Sequence, residues 1–208
     1  MGMDGIEPDG PLRGRPKSAE LDEALLEAAC TVLARQGYRG FSFDAVARVA
    51  GTTRPAIYRR WANRQDLLLA ALDHVMSVHS SDDEMTAGLA ERSDAELRAI
   101  FARMVAAFAR IVSDRRAAAV SISVSAAMYE DDALRTLTQT HHYDRRKPLE
   151  DILHLLGARG LLRSDVPVGD LIHMLVGAVQ YRSNMLLEPL DDAFIANVVR
   201  LFLAPDVG

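Results

Sequence analysis

The chain has a single cysteine, Cys30, so no internal disulfide can form and no cysteine-based zinc cluster can assemble. No stretch approaches the ~20 consecutive apolar residues that a bilayer-spanning helix requires. Residues 1–11 hold three acids and neither a base nor an apolar core, the reverse of a secretory signal, so a cytoplasmic protein is expected. Lysine is confined to Lys17 and Lys147 while arginine occurs 22 times, a bias that points to a GC-rich bacterial genome. Repeats and low-complexity tracts are missing, as are a glycine-rich phosphate loop, a Gly-x-Ser-x-Gly elbow and a histidine pair at zincin spacing. The neighbours His141 and His142 would point ~100° apart on a helix and cannot easily share one metal. His154 and His173 stand singly in apolar runs and are expected to be packed. No catalytic residue, metal site or cofactor is therefore expected.

What is present is enough apolar material for a folded core: 208 residues, of which 49% are hydrophobic and 25% charged. The net charge of −5 conceals a split. Residues 13–64 hold ten basic against five acidic side chains, whereas residues 65–208 hold fourteen against twenty-one. A basic module facing a polyanion, joined to a larger acidic module with another task, accounts for that division.

Apolar residues recur at spacings of three and four after Ser18, and strand-like alternation is nowhere sustained, so an all-α fold is expected. The first helix should run from an N-cap at Ser18 to Gly37, burying Leu21, Leu25, Ala28, Val32 and Leu33, with Cys30 a small packing or surface residue. Short helices at 42–50 and 53–61 and a longer one at 63–79 should follow, then a loop at 80–93. Further helices are expected at 94–113, 115–128, 131–157, 168–187 and 191–203, with Pro148 kinking or interrupting the 131–157 segment.

Residues 42–61 have what a pair of short helices needs in order to bind DNA. Ala47 and Ala50 permit close approach, Gly51 permits positive φ, Thr53 can cap the next helix, and Pro55 sits in a first turn where its missing N–H costs little. Val46, Ile57 and Trp61 supply a core beneath. With Ile57 and Trp61 turned inward, a second helix of seven or eight residues would present Arg54, Pro55, Ala56, Arg59 and Arg60 outward.

Residues 37–64 closely resemble the DNA-binding domain of TetR-type transcriptional regulators, and the likeness extends over about 18–78. It includes the Ile57–Tyr58 pair, the aromatic Trp61 three residues on and the basic Arg64 three further. Trp61 stands where phenylalanine is usual, Arg64 where lysine is usual, and Pro55 where glycine is common. The resemblance implies an N-terminal three-helix helix-turn-helix DNA-binding domain at 18–78 and a C-terminal helical effector-binding and dimerisation domain at 79–208. It implies phosphate contacts from Ser42, Tyr58, Arg64 and Thr53, and a major-groove face of Arg54, Pro55, Ala56, Arg59 and Arg60. An arginine there can bond a guanine edge bidentately, worth ~1–3 kcal/mol of discrimination. Ahead of the helices, the basic arm within 1–17, with Arg13, Arg15 and Lys17, has the character of a minor-groove anchor.

The tail at 156–204 resembles a subgroup of TetR-type C-terminal domains, through 157–166 and 188–191. Such proteins are homodimers, which implies a twofold four-helix bundle built from the last two helices with Leu171, Leu175, Val179, Leu186, Phe194, Val198 and Phe202 at the interface. Two reading helices ~34–36 Å apart would match successive major grooves of a palindromic operator in double-stranded DNA. A small, largely hydrophobic effector lodged among Phe101, Met104, Val105, Phe108, Met128, Tyr143, His173, Met174, Tyr181 and Asn184 would release the repressor by altering that spacing. Two other classes remain open at this point: a helical small-molecule-binding enzyme and a nonspecific architectural DNA-binding protein.

Overall fold

A computed structural model describes residues 16–77, 88–163 and 165–205. Its helices are α1 (Pro16–Gly40), α2 (Phe43–Val49), α3 (Arg54–Tyr58), α4 (Arg64–Ser77), α5 (Asp94–Ser113), α6 (Arg115–Ala127), α7 (Asp132–Arg145), α8 (Lys147–Ala158), α9 (Val168–Gln180) and α10 (Asp192–Phe202). A 3-10 turn at Leu89–Glu91 precedes α5, and a π-helical turn at Tyr181–Met185 prolongs α9. The described residues form no strand; Leu162 and Leu203 make one isolated antiparallel bridge. The fold is all-α, as the periodicity requires.

Several boundaries follow from local chemistry. Helix α1 starts at Pro16, so Pro16 and Lys17 belong to its first turn rather than to an extended arm, and the expected start at Ser18 falls two residues inside it. Arg13 and Arg15 lie outside the described residues, as do the side chains of Lys17 and Ser18. Gly37 leaves helical geometry at φ 68°, and a further turn brings the chain to Gly40. Helix α5 opens on a reciprocal capping box, in which Ser93 Oγ accepts from Glu96 N and the Glu96 carboxylate accepts from Ser93 N at 2.8 Å. The 131–157 segment divides at Arg146, with Pro148 in the first turn of α8, where a missing N–H is harmless.

Two main apolar clusters hold the chain together. The first joins Leu25, Val32 and Leu33 of α1, Val46 of α2, Ile57 of α3 and Leu67 and Leu68 of α4 to Ala117, Val120 and Val124 of α6. Cys30 lies fully buried there, its thiol donating to Ala71 O at 3.4 Å, and burial pushes its pKa up. The second unites Leu97, Ile100, Phe101 and Val105 of α5 with Ile152, Leu153 and Leu156 of α8, Leu171, Ile172 and Leu175 of α9, and Val198 and Phe202 of α10.

That second cluster corrects the interface expected from the sequence. Leu171, Leu175, Val198 and Phe202 are buried within their own chain, Val179 packs with Ala109 and Val112, and Phe194 is half-buried beneath the Arg182 guanidinium at 4.5 Å. Of the expected interface residues only Leu186 is exposed. The apolar stripe is buried by α5 and α8 of its own chain. In this part of the chain the exposed large apolar side chains are Met174, Tyr181 and Met185 along α9 and its extension, Leu186 and Leu187 just after it, and Leu201 on α10.

Candidate nucleic-acid interface and internal cavity

Helices α2 and α3 are set at their angle by the turn between them. Ser42 caps α2, its Oγ accepting from Ala45 N at 3.2 Å. Ala50 N donates to Val46 O at 2.9 Å, Gly51 takes φ 63°, and Thr52 N returns to Ala47 O at 2.9 Å. A residue with a Cβ would be strained at that φ. Thr53 holds the N-cap position of α3 in extended geometry, without a side-chain capping bond, and Pro55 follows in the first turn.

Helix α3 has five residues, shorter than the seven or eight expected, and its exposed face is narrower than the sequence suggested. Arg54, Pro55, Tyr58 and Arg59 are exposed, whereas Ala56 and Ile57 are buried. Positions four apart lie ~40° apart on a helix, so Arg54 shares a row with Tyr58, Pro55 with Arg59, and Arg60 with the buried Ala56. Arg60 accordingly turns back. Its Nε bonds Asp22 of α1, its Nη1 donates to Ala56 O at 3.0 Å, and its side chain is only 17% exposed. The outward placement expected for Ala56 and Arg60 is thus overturned.

The Tyr58 ring packs edge-on against Phe43 with centroids 4.6 Å apart, and its hydroxyl accepts from Arg54 Nη2 at 2.8 Å. Arg54 also reaches Asp44 at 3.3 Å. The Tyr58 hydrogen bond, then the Asp44 carboxylate, raise the Arg54 pKa. Arg59 extends from the last turn of α3 with neither ring nor carboxylate holding it among the described residues.

Arg64 corrects a second expectation. Rather than projecting from α4 toward a phosphate, it sits over the Tyr38 ring with its guanidinium carbon 3.8 Å from the centroid, donates through Nη2 to Tyr38 O, and keeps a buried Nε without a partner. Its task here is to fasten α4 to the end of α1.

Helix α4 also faces the other side of the molecule. Asp73 accepts from His141 of α7 at 2.9 Å and meets Arg145 at 3.3 Å, while Glu27 of α1 accepts from His74 of α4 at 2.7 Å and bonds Arg116 of α6. Burial acts to raise the Glu27 pKa, but the Arg116 and His74 hydrogen bonds outweigh it and leave the carboxyl below its usual range.

Behind this clasp lies a cavity of about 490 Å³. Of the residues proposed from sequence, Met104, Val105, Phe108, Met128, Tyr143, His173 and Asn184 line it. Phe101 does not: it is wholly buried in the second cluster, 6.0 Å from the Phe202 ring. Met174 and Tyr181 do not either, because they lie on the exposed side of α9. Sequence reasoning missed Leu72 and Met76 of α4, Ser121, Val124 and Ser125 of α6, and the polar group Gln139, His142, Arg145, Arg146 and Gln180. Burial, with a smaller contribution from His141, lowers the His142 pKa. His154 and His173 are both exposed, His173 toward the cavity, contrary to the packed placement expected.

Among the described residues no group of three or more His, Cys, Asp or Glu side chains is placed to hold a metal ion, and no helix is long and apolar enough to cross a membrane.

Comparison with known proteins agrees with this architecture. Residues 25–71 match the family described as bacterial regulatory proteins, tetR family, and residues 92–202 match the tetracyclin repressor-like C-terminal domain. The DNA-binding transcriptional repressor TetR of Mycobacteroides abscessus is 33% identical over 190 residues, covering 90% of this chain and 92% of the relative. The regulator FadR of Bacillus subtilis, solved in complex with stearoyl-CoA, superposes with a TM-score of 0.67 at 19% identity, over 86% of this chain and 95% of its own. A protein from Saccharomonospora viridis solved in complex with choline gives 0.61 at 18% identity, over 90% and 100%. With both halves matched and a repressor aligned over nearly its whole length, the chain belongs to the TetR family of transcriptional regulators.

Proposed function

We propose that the chain is a repressor that binds a palindromic operator as a homodimer and is released when a small effector fills the cavity. The observation that carries this reading is the exposed face of α3: the rows Arg54–Tyr58 and Pro55–Arg59 rise from a buried Ala56–Ile57 seat on a helix short enough to enter a major groove. Arg59 reads a base, Arg54 and Tyr58 contact the backbone or a base edge together, and Ser42 and Thr53 bind phosphates from the two helix starts. The exposed apolar strip from Met174 to Leu187, with Leu201, supports pairing with a second copy. The chain acts by binding, and turnover of a ligand by the purified protein would overturn that.

The experiment is a gel-shift series with the DNA upstream of the protein's own gene against unrelated duplexes. Arg59→Ala is expected to weaken the specific complex by about tenfold or more while leaving the unrelated complex nearly unchanged. Arg60→Ala should change the two alike. An unmodified protein that binds both DNAs equally would instead indicate an architectural DNA binder.

A further inference from the structure

We infer that the cavity is built for an elongated amphipathic carboxylate, its anionic head at the junction of α7 and α8. This rests on reading the cavity as the effector site and adds the chemical class of the occupant.

The arginines of the lining both come from one place, the passage from α7 to α8. Where α7 passes into α8, Arg146 occupies the break itself, and Arg145, His142 and His173 line the same end. Arg146 is held in place: its Nε donates to Glu150 at 2.8 Å, its guanidinium lies 4.0 Å from the Tyr143 ring centroid, and its Nη1 stands 3.4 Å from His173 Nε2. Glu150 and Asp73, the carboxylates that partner Arg146 and Arg145, are not part of the lining, and no Asp or Glu is found in it among the described residues. A guanidinium carries five N–H donors. With Nε committed to Glu150, the Nη edge remains for a second acceptor, and a carboxylate matches that fork.

Elsewhere the wall is mostly apolar, with Phe108, Ile111 and Val112 of α5 and Leu175 and Val176 of α9, and its other polar groups, Ser121, Ser125, Gln139, Gln180 and Asn184, carry no charge. Ser183 Oγ donates to Val112 O at 3.1 Å, which places the end of α5 beside the π-helical turn. His173 and Asn184, both in the lining, stand eleven residues apart on one rod, so the space extends ~16 Å along it. That length suits a linear chain. The Arg-lined end sets this cavity against a quaternary ammonium occupant, which would bring a second positive charge beside Arg146.

The test uses the full-length protein and titration calorimetry with dodecanoate, dodecanol and dodecyltrimethylammonium, each below its aggregation concentration. Dodecanoate is expected to bind about tenfold tighter than either other probe. Arg146→Gln should remove that advantage while dodecanol affinity stays unchanged, and Arg146→Lys should keep part of it. Equal or tighter binding of the alcohol or the ammonium, an equal loss for all probes in Arg146→Gln, or no binding by any of them would overturn the assignment. Should Arg146→Gln fail to fold, the ranking of probes on the unmodified protein and on Arg146→Lys decides. A gel shift run alongside separates the two readings. Carboxylate binding without loss of the DNA complex retains this assignment and rejects effector release, whereas release by a different class of compound rejects only this assignment.

Discussion

The exposed face on α3 and the cavity behind α4 are made in opposite ways. The first is assembled from one unbroken segment in which cap, turn, seat and reading side chains follow one another from Ser42 to Arg59. The second takes its wall from α4, α5, α6, α7, α8 and α9. A contiguous site is fixed by turn chemistry and helix phase, so its tolerance of change elsewhere should be high. A site gathered from six helices depends on every packing contact that keeps them in register.

The largest effect that would break this contrast comes from Phe101, wholly buried between α5 and α10. Phe101→Ala is expected to cost about 3–5 kcal/mol of stability by chemical denaturation. DNA affinity of the folded fraction should remain near that of the unmodified protein while dodecanoate binding weakens; a parallel loss of both would show the two sites to be one cooperative structure. A smaller effect is expected on assembly. Met185→Glu combined with Leu187→Glu places charges on the exposed strip, and each apolar side chain buried at an interface is worth roughly 1.5–3 kcal/mol. Sedimentation should show monomer, with specific DNA binding lost and the melting temperature of the dilute protein little changed. A dimer formed by the double variant would move the interface elsewhere.

The smallest effect concerns pH. The His142 imidazole, held below its ordinary 6.5 by burial and by His141, binds fewer protons folded than unfolded. Stability from this group is therefore complete above about 6.5 and declines as pH falls toward the folded value. Melting temperature measured between about pH 7 and pH 5 should fall less steeply in His142→Gln. An unchanged slope would assign the acid sensitivity to other groups.

What the sequence revealed follows the same contrast. The positions of Gly51, Pro55 and Ile57 were legible because positive φ, a first-turn proline and an inward i, i+4 pattern are local properties, whereas Thr53, expected to cap α3, takes the N-cap position without a side-chain bond. The fates of Arg60 and Arg64 were not, since Asp22 and Tyr38, which hold them, lie on α1 and only the tertiary fold brings them near. Likewise, Leu171, Leu175 and Val198 announce burial by their spacing, but spacing does not say whether α5 or a second copy does the burying. In the cavity, apolar periodicity marks Met104 and Phe108 but not Arg145 and Arg146, which are held by Asp73, Glu150 and Tyr143.

One feature ties the two regions mechanically. Helix α4 is a 14-residue rod, ~21 Å long, with Arg64 over the Tyr38 ring at one end and Leu72 and Met76 in the cavity wall toward the other. An α-helix is stiffer along its axis than the side-chain packing around it. The same rod thus lends side chains to the cavity wall and, at its other end, pins the close of α1, with the Glu27–His74–Arg116 clasp set among its cavity-facing residues.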